Sequence, residues 1–460
     1  VVGEVAHGGW CVAREPGDAS EGGGRVVFVR HALPGERVLA RVTDATARFA
    51  RADAVQVLTA SPDRVEPGCP HARPGGCGGC DWQHASLDAQ RRLKAAVISQ
   101  QLRRIAGMER EVTVEPLPGE GDGLHWRTRV RFAVRPDGAA GLRKHRSHDV
   151  VGIGACAIAH PLVAQAEVTG QRWEGATAVE VAVAPGSAER ALIITPVTGR
   201  RPASRPPRAA AAAPAQPPAR PQPGRPERPR TGGRQERAAD RYASWGERAA
   251  DSVLSVAGSG RLTPLKGPGF LHQVAAGRTW RVSAGAFWQV HPGAADALAG
   301  AVLDVLCPQP ADVALDLYCG AGLFAGVLAA AVGPAGTVVG VEADHAAVRD
   351  ARHNLRDTPW ARVYRGDAAA VLARGGWPAA GLAVLDPPRT GAARPVIERL
   401  LTGPAASGLR RVAYVSCDPA TLARDLAVFA EFGWQLAALR AFDAFPMTHH
   451  VECVAALLPR

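Results

Sequence analysis

Residues 311–322, Ala-Asp-Val-Ala-Leu-Asp-Leu-Tyr-Cys-Gly-Ala-Gly, decide how the C-terminal part of this chain is read. An apolar run closes on Asp316 and breaks into a turn of small residues, the pattern of a buried strand delivering its end to a Gly-rich loop. Working outward, Leu323–Ala331 reads as a helix and GTVVGVEAD (336–344) as a second strand ending in acid. His345–Leu355 is helical, Ala361–Tyr364 a strand, and LAVLDPPR (382–389) a strand running into a Pro-Pro turn. RRVAYVSCDP (410–419) is another strand, Ala420–Ala430 a helix, and Gln435–Phe442 and Val451–Leu457 the closing strands. Repeated strand–helix units predict a mostly parallel sheet covered on both faces. Ligands are expected beyond the carboxyl ends of its strands.

The turn constrains the ligand. Gly320 and Gly322 let a backbone approach closely, but Phe324 and Ala325 follow where a dinucleotide fingerprint wants a third glycine. S-adenosylmethionine carries no phosphate and does not need it. Glu342, closing the second strand, suits a ribose diol, and Asp367, closing the third, an adenine edge. Asp386-Pro387-Pro388 ends the fourth strand, where methyl donor and acceptor should meet; Arg389 stands where amine methyltransferases carry an aromatic residue, which argues against a stacked base amine.

In Ser416-Cys417-Asp418-Pro419, Pro419 suits the first turn of the following helix and leaves Cys417 at its N-terminal end, where the helix field is expected to favour a thiolate. A nucleophilic cysteine beside a methyl donor fits methylation at C5 of a uracil: thiolate addition to C6 makes C5 nucleophilic, and a base must then remove the C5 proton. Glu452 is the carboxylate placed to do so, with Asp386 hydrogen-bonding or positioning the target base. Such a base has to leave its stack to be reached. Cys453 reads as core.

The N-terminal part differs. Val26–Arg30 and Arg37–Val42 flank a Pro34-Gly35 turn, and several short strands without a long helix predict a small β-barrel over residues 1–60. Residues 85–106 carry a helical pattern. Strands return at Val112–Val114, Arg127–Arg135, Ala178–Val183 and Ala191–Val197, and resume at Ser252–Val256, Leu262–Pro264 and Thr279–Val282. In WRTRVRFAV (126–134) alternation places Arg127, Arg129 and Arg131 on one face, suited to a phosphate backbone, and Thr128, Val130 and Phe132 on the other. Residues 201–240, with ten Pro and nine Arg, read as a disordered basic insertion in a central domain spanning 61–285.

Of nine cysteines, Cys69, Cys77 and Cys80 cluster in CPHARPGGCGGCDWQH (69–84), which reads as a metal site rather than a disulfide framework. Cys156 in GIGACAIAHP (152–161) is the best fourth ligand; His71 and His84 are alternatives. Spacing does not separate zinc from an iron–sulfur cluster. The 54 Lys and Arg against 43 Asp and Glu, a formal charge of +11, point to an anionic partner, nucleic acid or an acidic membrane surface, between which composition does not choose. The N-terminal stretch has no secretory pattern, and no apolar run of about 18 residues appears, so a cytoplasmic protein without membrane association is expected. With no hydrophobic seam to pair, a monomer is expected.

DLYCGAGLF (316–324), VLDPPR (384–389), VSCDPATLARDL (415–426) and FPMTHHVE (445–452) together resemble the RNA uracil-C5 methyltransferase family, in the family's order. VVFVRHALPGERV (26–38) is similar to the TRAM domain with which many members begin. The resemblance implies three parts: an N-terminal OB-like TRAM barrel, a central α+β RNA-binding domain with the four-cysteine site, and a C-terminal α/β, Rossmann-like methyltransferase domain over 286–460. It implies Cys417 as nucleophile and Glu452 as base. Gln289, Tyr318, Gly320, Glu342, Asp367 and Asp386 would meet S-adenosylmethionine, and Phe287 the target base. It favours a [4Fe–4S] cluster over zinc, in a folding and RNA-positioning role, and structured RNA as substrate: 23S rRNA first, tRNA as the alternative. A catalytically weak RNA-binding assembly factor is the rival class. The chain departs from the family at His291 and Leu323, where Asn is usual, and in the insertion.

Overall fold

Residues 1–15, 24–119, 121–197, 242, 249–404 and 406–460 are described by the computed structural model; the insertion expected at 201–240 lies outside the described residues. Alternating apolar residues build the first layer. Strands β1 (Val5–Ala6), β2 (Trp10–Arg14), β3 (Val26–Arg30), β4 (Arg37–Ala45) and β5 (Phe49–Thr59) form one sheet in the order β1-β2-β3-β5-β4. Val27 and Val29 of β3 and Ala50, Ala52 and Ala54 of β5 turn inward onto Val5, Cys11 and Trp82. Gly35 takes φ +85° at the expected turn. β1 and β4 end the strand order, and backbone bonds from Val2 N to Glu36 O and from Gly35 N to Val2 O, both 2.8 Å, join the segments that lead into them, as the predicted barrel requires.

The helix Leu87–Gln101, capped by Ser86, does not belong with the central strands that flank it in sequence. Its Ile98 and the following Leu102 are buried in the core of the C-terminal sheet, and strand β6 (Val114–Glu115) pairs with that sheet's edge. The boundary expected at 286 is therefore crossed by an earlier segment, because the amphipathic face of 87–106 fits the methyltransferase helices and not the central sheet.

Strands β7 (Arg129–Val134), β8 (Ala140–Arg143), β9 (Val150–Gly152), β10 (Ala176–Ala184), β11 (Glu189–Pro196), β12 (Ser252–Val256) and β13 (Leu262–Lys266) make the central sheet, ordered β13-β12-β11-β10-β7-β8-β9. β11 and β12 are parallel neighbours, so the sheet resumes directly after the long interval between them. A hairpin, β14 (Phe270–Ala275) and β15 (Arg278–Ser283), leads onward.

The C-terminal sheet contains β16 (Val313–Leu317), β17 (Thr337–Glu342), β18 (Ala361–Arg365), β19 (Leu382–Leu385), β20 (Arg411–Ser416), β21 (Trp434–Phe442) and β22 (Glu452–Pro459). Its order is β18-β17-β16-β19-β20-β22-β21-β6. The first five strands run parallel, and β22 is antiparallel to both β20 and β21. Helices Ala294–Leu306, Leu323–Val332 and His345–Asn354 cover one face; Ala368–Arg374, Arg394–Thr402 and Pro419–Glu431 cover the other. Ala294–Leu306, Ala368–Arg374 and Arg394–Thr402 are additional to the predicted helices; the first is largely apolar, with a narrow exposed stripe of Asp296, Gly300 and Asp304. Strand order reverses at β16, which places the ligand crevice past the ends of β16 and β19. Among the described residues no helix is long and apolar enough to cross a membrane.

Candidate active site

At the switch point the chain turns sharply. Tyr318, Gly320 and Gly322 have φ of +68°, +53° and +93°. The glycines take this without cost, whereas Tyr318 is held there by its N–H donating to Val341 O at 2.9 Å and its hydroxyl to Ala392 O at 3.0 Å. A methyl-sized group on Gly320 would meet no atom within 4 Å, so that side of the turn is open. Gly320 N–H donates to Glu342 Oε2 at 3.0 Å, tying the turn to the end of β17, while Glu342 Oε1 accepts from Ala343 and Asp344. Asp367 is exposed, and its Oδ1 accepts from Ala370 N–H at 3.0 Å as the cap of the next helix. Buried Asp316, which sequence reading passed over, accepts from Ala325 N–H at 2.7 Å and fixes the helix that follows the turn. Burial, then the charges of Asp386 and Glu342, pushes its carboxyl up to about 8.

Three residues expected to carry the chemistry, Cys417, Glu452 and Asp386, converge with Arg389. β20 pairs with β22 as far as Ser416 opposite Cys453. One step further along the antiparallel register, Cys417 stands across from Glu452. Asp386, at the end of adjacent β19, and Arg389 complete the group. Burial pushes the Asp386 carboxyl to about 7. Burial, then Asp386, holds Glu452 well above the usual carboxylate range, with Arg389 opposing. Burial and next the Glu452 charge push the Cys417 thiol up to about 12, against the hydrogen-bonding guanidinium of Arg389.

Cys417 precedes the cap of the following helix, as expected, and burial outweighs any help from the helix end to its thiolate. Pro419 does open the helix Pro419–Glu431, but the cap is Asp418, whose Oδ1 takes Thr421 N–H at 2.9 Å, so the helix end serves a carboxylate. Sequence reading used Arg389 only to exclude an amine substrate. Its contact with Cys417 depends on how the Pro387-Pro388 turn faces β20, which spacing does not reveal. Cys453 is core, as expected.

Cys69, Cys77, Cys80 and Cys156 all line one cavity of about 290 Å³, together with His71, Arg127, Arg131, Arg143, Lys144 and Arg146. His84 is buried but is not among its walls. Gly76 and Gly78 permit the wrap: a Cβ on either would lie 2.3 Å from His71 O or 2.4 Å from His145 N. Gln83 holds the loop together, accepting from Cys69 N–H at 3.0 Å and donating to Cys80 Sγ at 3.2 Å. Burial raises the Cys77, Cys80 and Cys156 thiols, and neighbouring cysteines add to each shift. Among the described residues, no three His, Cys, Asp or Glu side chains converge tightly enough for a single metal ion.

The predicted arginine face divides. Thr128, Val130 and Phe132 are buried as expected. Arg127 lines the cysteine cavity, and Arg131 is exposed beside Glu180 and Thr195. Arg129 is not a free phosphate contact: its guanidinium binds Glu180 at 2.6 Å and the Ala284 and Ala286 carbonyls at 2.7 and 2.9 Å, a cross-strand brace. Phe287 is 70% exposed, and Gln289 is buried. His291 is stacked on Trp126, with Nδ1 accepting from Gly293 N–H at 3.1 Å. Burial lowers its imidazole to about 4.

An OB-like sheet followed by a Rossmann-like sheet with a cysteine and a carboxylate at its crevice defines a class I methyltransferase with an N-terminal accessory domain. The TRAM domain model matches residues 2–55, the tRNA (Uracil-5-)-methyltransferase model residues 379–460, and the Protein-L-isoaspartate(D-aspartate) O-methyltransferase model residues 291–410. An "Uncharacterized RNA methyltransferase" of Streptomyces avermitilis is 47% identical over 100% of this chain and 97% of its own length. The 23S rRNA (uracil(1939)-C(5))-methyltransferase RlmD of Pseudomonas putida is 33% identical over 94% of this chain and 88% of its own. The fold is shared with a Pyrococcus abyssi tRNA (uracil-54, C5)-methyltransferase crystallised with S-adenosyl-L-homocysteine: TM-score 0.66, 21% identity, 97% and 98% of the two chains covered. The chain belongs to the RNA uracil-C5 methyltransferase family.

Proposed function

We propose that this enzyme transfers a methyl group from S-adenosylmethionine to C5 of a specific uridine in structured RNA, with 23S rRNA as the substrate and the cytoplasm as its place of action. The observation that carries the reading is Cys417 standing across β20 and β22 from Glu452, with Asp386 and Arg389 beside them. The rRNA assignment is supported by the Pseudomonas relative, which aligns over nearly the whole chain. The family model matched at 379–460, named for a tRNA reaction, favours tRNA as the second reading.

S-adenosylmethionine, when bound, supplies an electrophilic methyl on its sulfonium. The open Gly320 turn, Tyr318, Glu342, Asp367, Asp386 and Gln289 are the residues that would hold it. Cys417 adds to C6 of the uracil as its thiolate and shifts the C5=C6 electron pair toward C5 and the C4 carbonyl, so that C5 becomes the attacking carbon. Glu452 then accepts the C5 proton; the released pair reforms C5=C6, breaks the C6–S bond and returns the thiolate. Arg389 stabilises the Cys417 thiolate as it forms, against the Glu452 charge, and it is the ionised Glu452 that accepts the C5 proton. Asp386 positions the base, and exposed Phe287 offers a face for stacking it. Arg127 and Arg131 meet the phosphate backbone.

Four cysteines lining one cavity, on a loop that Gly76 and Gly78 let wrap, are a donor set that fits an inorganic centre. Cys69, Cys77, Cys80 and Cys156 would hold a [4Fe–4S] cluster, with zinc as the alternative, in a folding and RNA-positioning role; the chain acts as a monomer. Nucleoside analysis of separated rRNA and tRNA from cells with and without the gene tests the reading. Loss of 5-methyluridine from large-subunit rRNA is expected. Loss from tRNA alone overturns the substrate, and an inactive purified protein overturns the reaction.

A further inference from the structure

The loop carrying the cysteines also grips the loop carrying Glu452, and the chemistry above makes no use of that contact. Asp81 directly follows Cys80. Its Oδ2 lies 2.7 Å from His449 Nδ1 and 3.3 Å from His449 N, and a carboxylate accepts, so both nitrogens donate. Arg30 of β3 holds the other oxygen at 3.4 Å. The backbone N–H groups of Asp81 and Trp82 both donate to Met447 O, at 2.9 and 3.1 Å. Met447 presents that carbonyl from a left-handed conformation, φ +67°, while its own N–H donates to Gln90 Oε1 at 2.7 Å. Gly9 closes the other side: a Cβ there would lie 2.9 Å from His449 Cβ. A strained residue stays put only when its surroundings over-determine it. From His449 the chain needs three residues to reach Glu452.

We propose that His449 is a positioning residue for the catalytic base. The Asp81–His449 hydrogen bond transmits the geometry of the cysteine site to Glu452, so that this site governs the elimination step as well as RNA docking. The inference rests on the proposed role of Glu452. Loss of the bond lets residues 443–451 relax and withdraws the carboxylate from the C5 proton. Addition of Cys417 to C6 and methylation of C5 still proceed, because neither needs the base. Removal of the C5 proton, whose electron pair expels the Cys417 sulfur, slows.

The test uses the full chain with S-adenosylmethionine and its RNA, following turnover and the fraction of protein trapped as a denaturation-resistant covalent RNA adduct. His449→Ala is expected to lower kcat by about 10–100-fold, the scale of a small misplacement. Adduct should accumulate, KM for RNA should stay unchanged, and amide exchange should quicken in the peptide containing Met447. His449→Asn, whose amide places a donor near that of Nδ1, should restore elimination. The inference is overturned if His449→Ala leaves kcat unchanged, raises only KM, or loses adduct and turnover together. Glu452→Gln separates the two readings. If it accumulates adduct and His449→Ala does not, only the inference fails. If Glu452→Gln gives no adduct, the assignment of the base fails and the inference with it.

Discussion

Arg389 and Glu452 act on the Cys417 thiol in opposite senses, and each is testable by itself. Arg389 favours the thiolate through hydrogen bonding and charge, so Arg389→Ala is expected to raise the thiol further and slow its alkylation. Glu452→Gln removes a charge that opposes ionisation and should speed alkylation at the same pH. Peptide-resolved alkylation by mass spectrometry reads Cys417 apart from the other cysteines. Equal alkylation in wild type and both variants would contradict the electrostatic account. Asp316 carries a pH prediction. Its folded carboxyl, at about 8 against an ordinary 3.8, binds its proton more tightly than the unfolded chain, so its contribution to stability falls as pH rises from about 4 to 8. Asp316→Asn should flatten that part of the stability profile, measured by denaturant melts across the range.

At the scale of elements, two links fasten the helix that follows Cys417 and the loop that precedes Glu452 to the N-terminal half. His7, beyond β1, donates to Asp418 at 3.0 Å, the cap of the helix that follows Cys417. The hydrogen bond to Asp418 raises the His7 imidazole above its ordinary 6.5 despite partial burial. Its stabilisation is therefore full below about 6.5 and lost as pH rises through the raised value. His7→Gln should lower the melting temperature at about pH 6 and leave it unchanged at about pH 9. Lys94, in the helix Leu87–Gln101, forms a fully buried ion pair with Asp443 and also donates to Phe445 O at 3.1 Å. Lys94→Met leaves a buried carboxylate without that partner and is expected to cost about 3–5 kcal/mol in a denaturant melt.

Much of this level was legible in the sequence. Val26–Arg30 and Ser252–Val256 are strands with the predicted bounds, and the parallel strands from Val313 to Ser416 follow the apolar runs, because backbone periodicity is local. The destination of residues 87–106, the brace made by Arg129 and the His449 contact were not legible. Each depends on a partner distant in sequence: β21, Glu180 and Asp81. Arg129 shows the limit clearly, since alternation gives the face a side chain occupies but not whether an acid waits there.

Across the whole molecule, the parts proposed to face RNA and to carry the chemistry are joined by these links rather than merely strung in series. Arg127 and Arg131 line the cysteine cavity on one side of the loop 69–84, and Asp81 reaches the base's loop on the other. The most direct test of the central claim, covalent catalysis by the Cys417–Glu452 pair, is to incubate the Glu452→Gln protein with S-adenosylmethionine and large-subunit rRNA and resolve the products on a denaturing gel. The account predicts a stable protein–RNA adduct carrying a transferred methyl group, mapped by peptide analysis to Cys417. Full methyl transfer by Cys417→Ala, or an adduct on another residue, would contradict it.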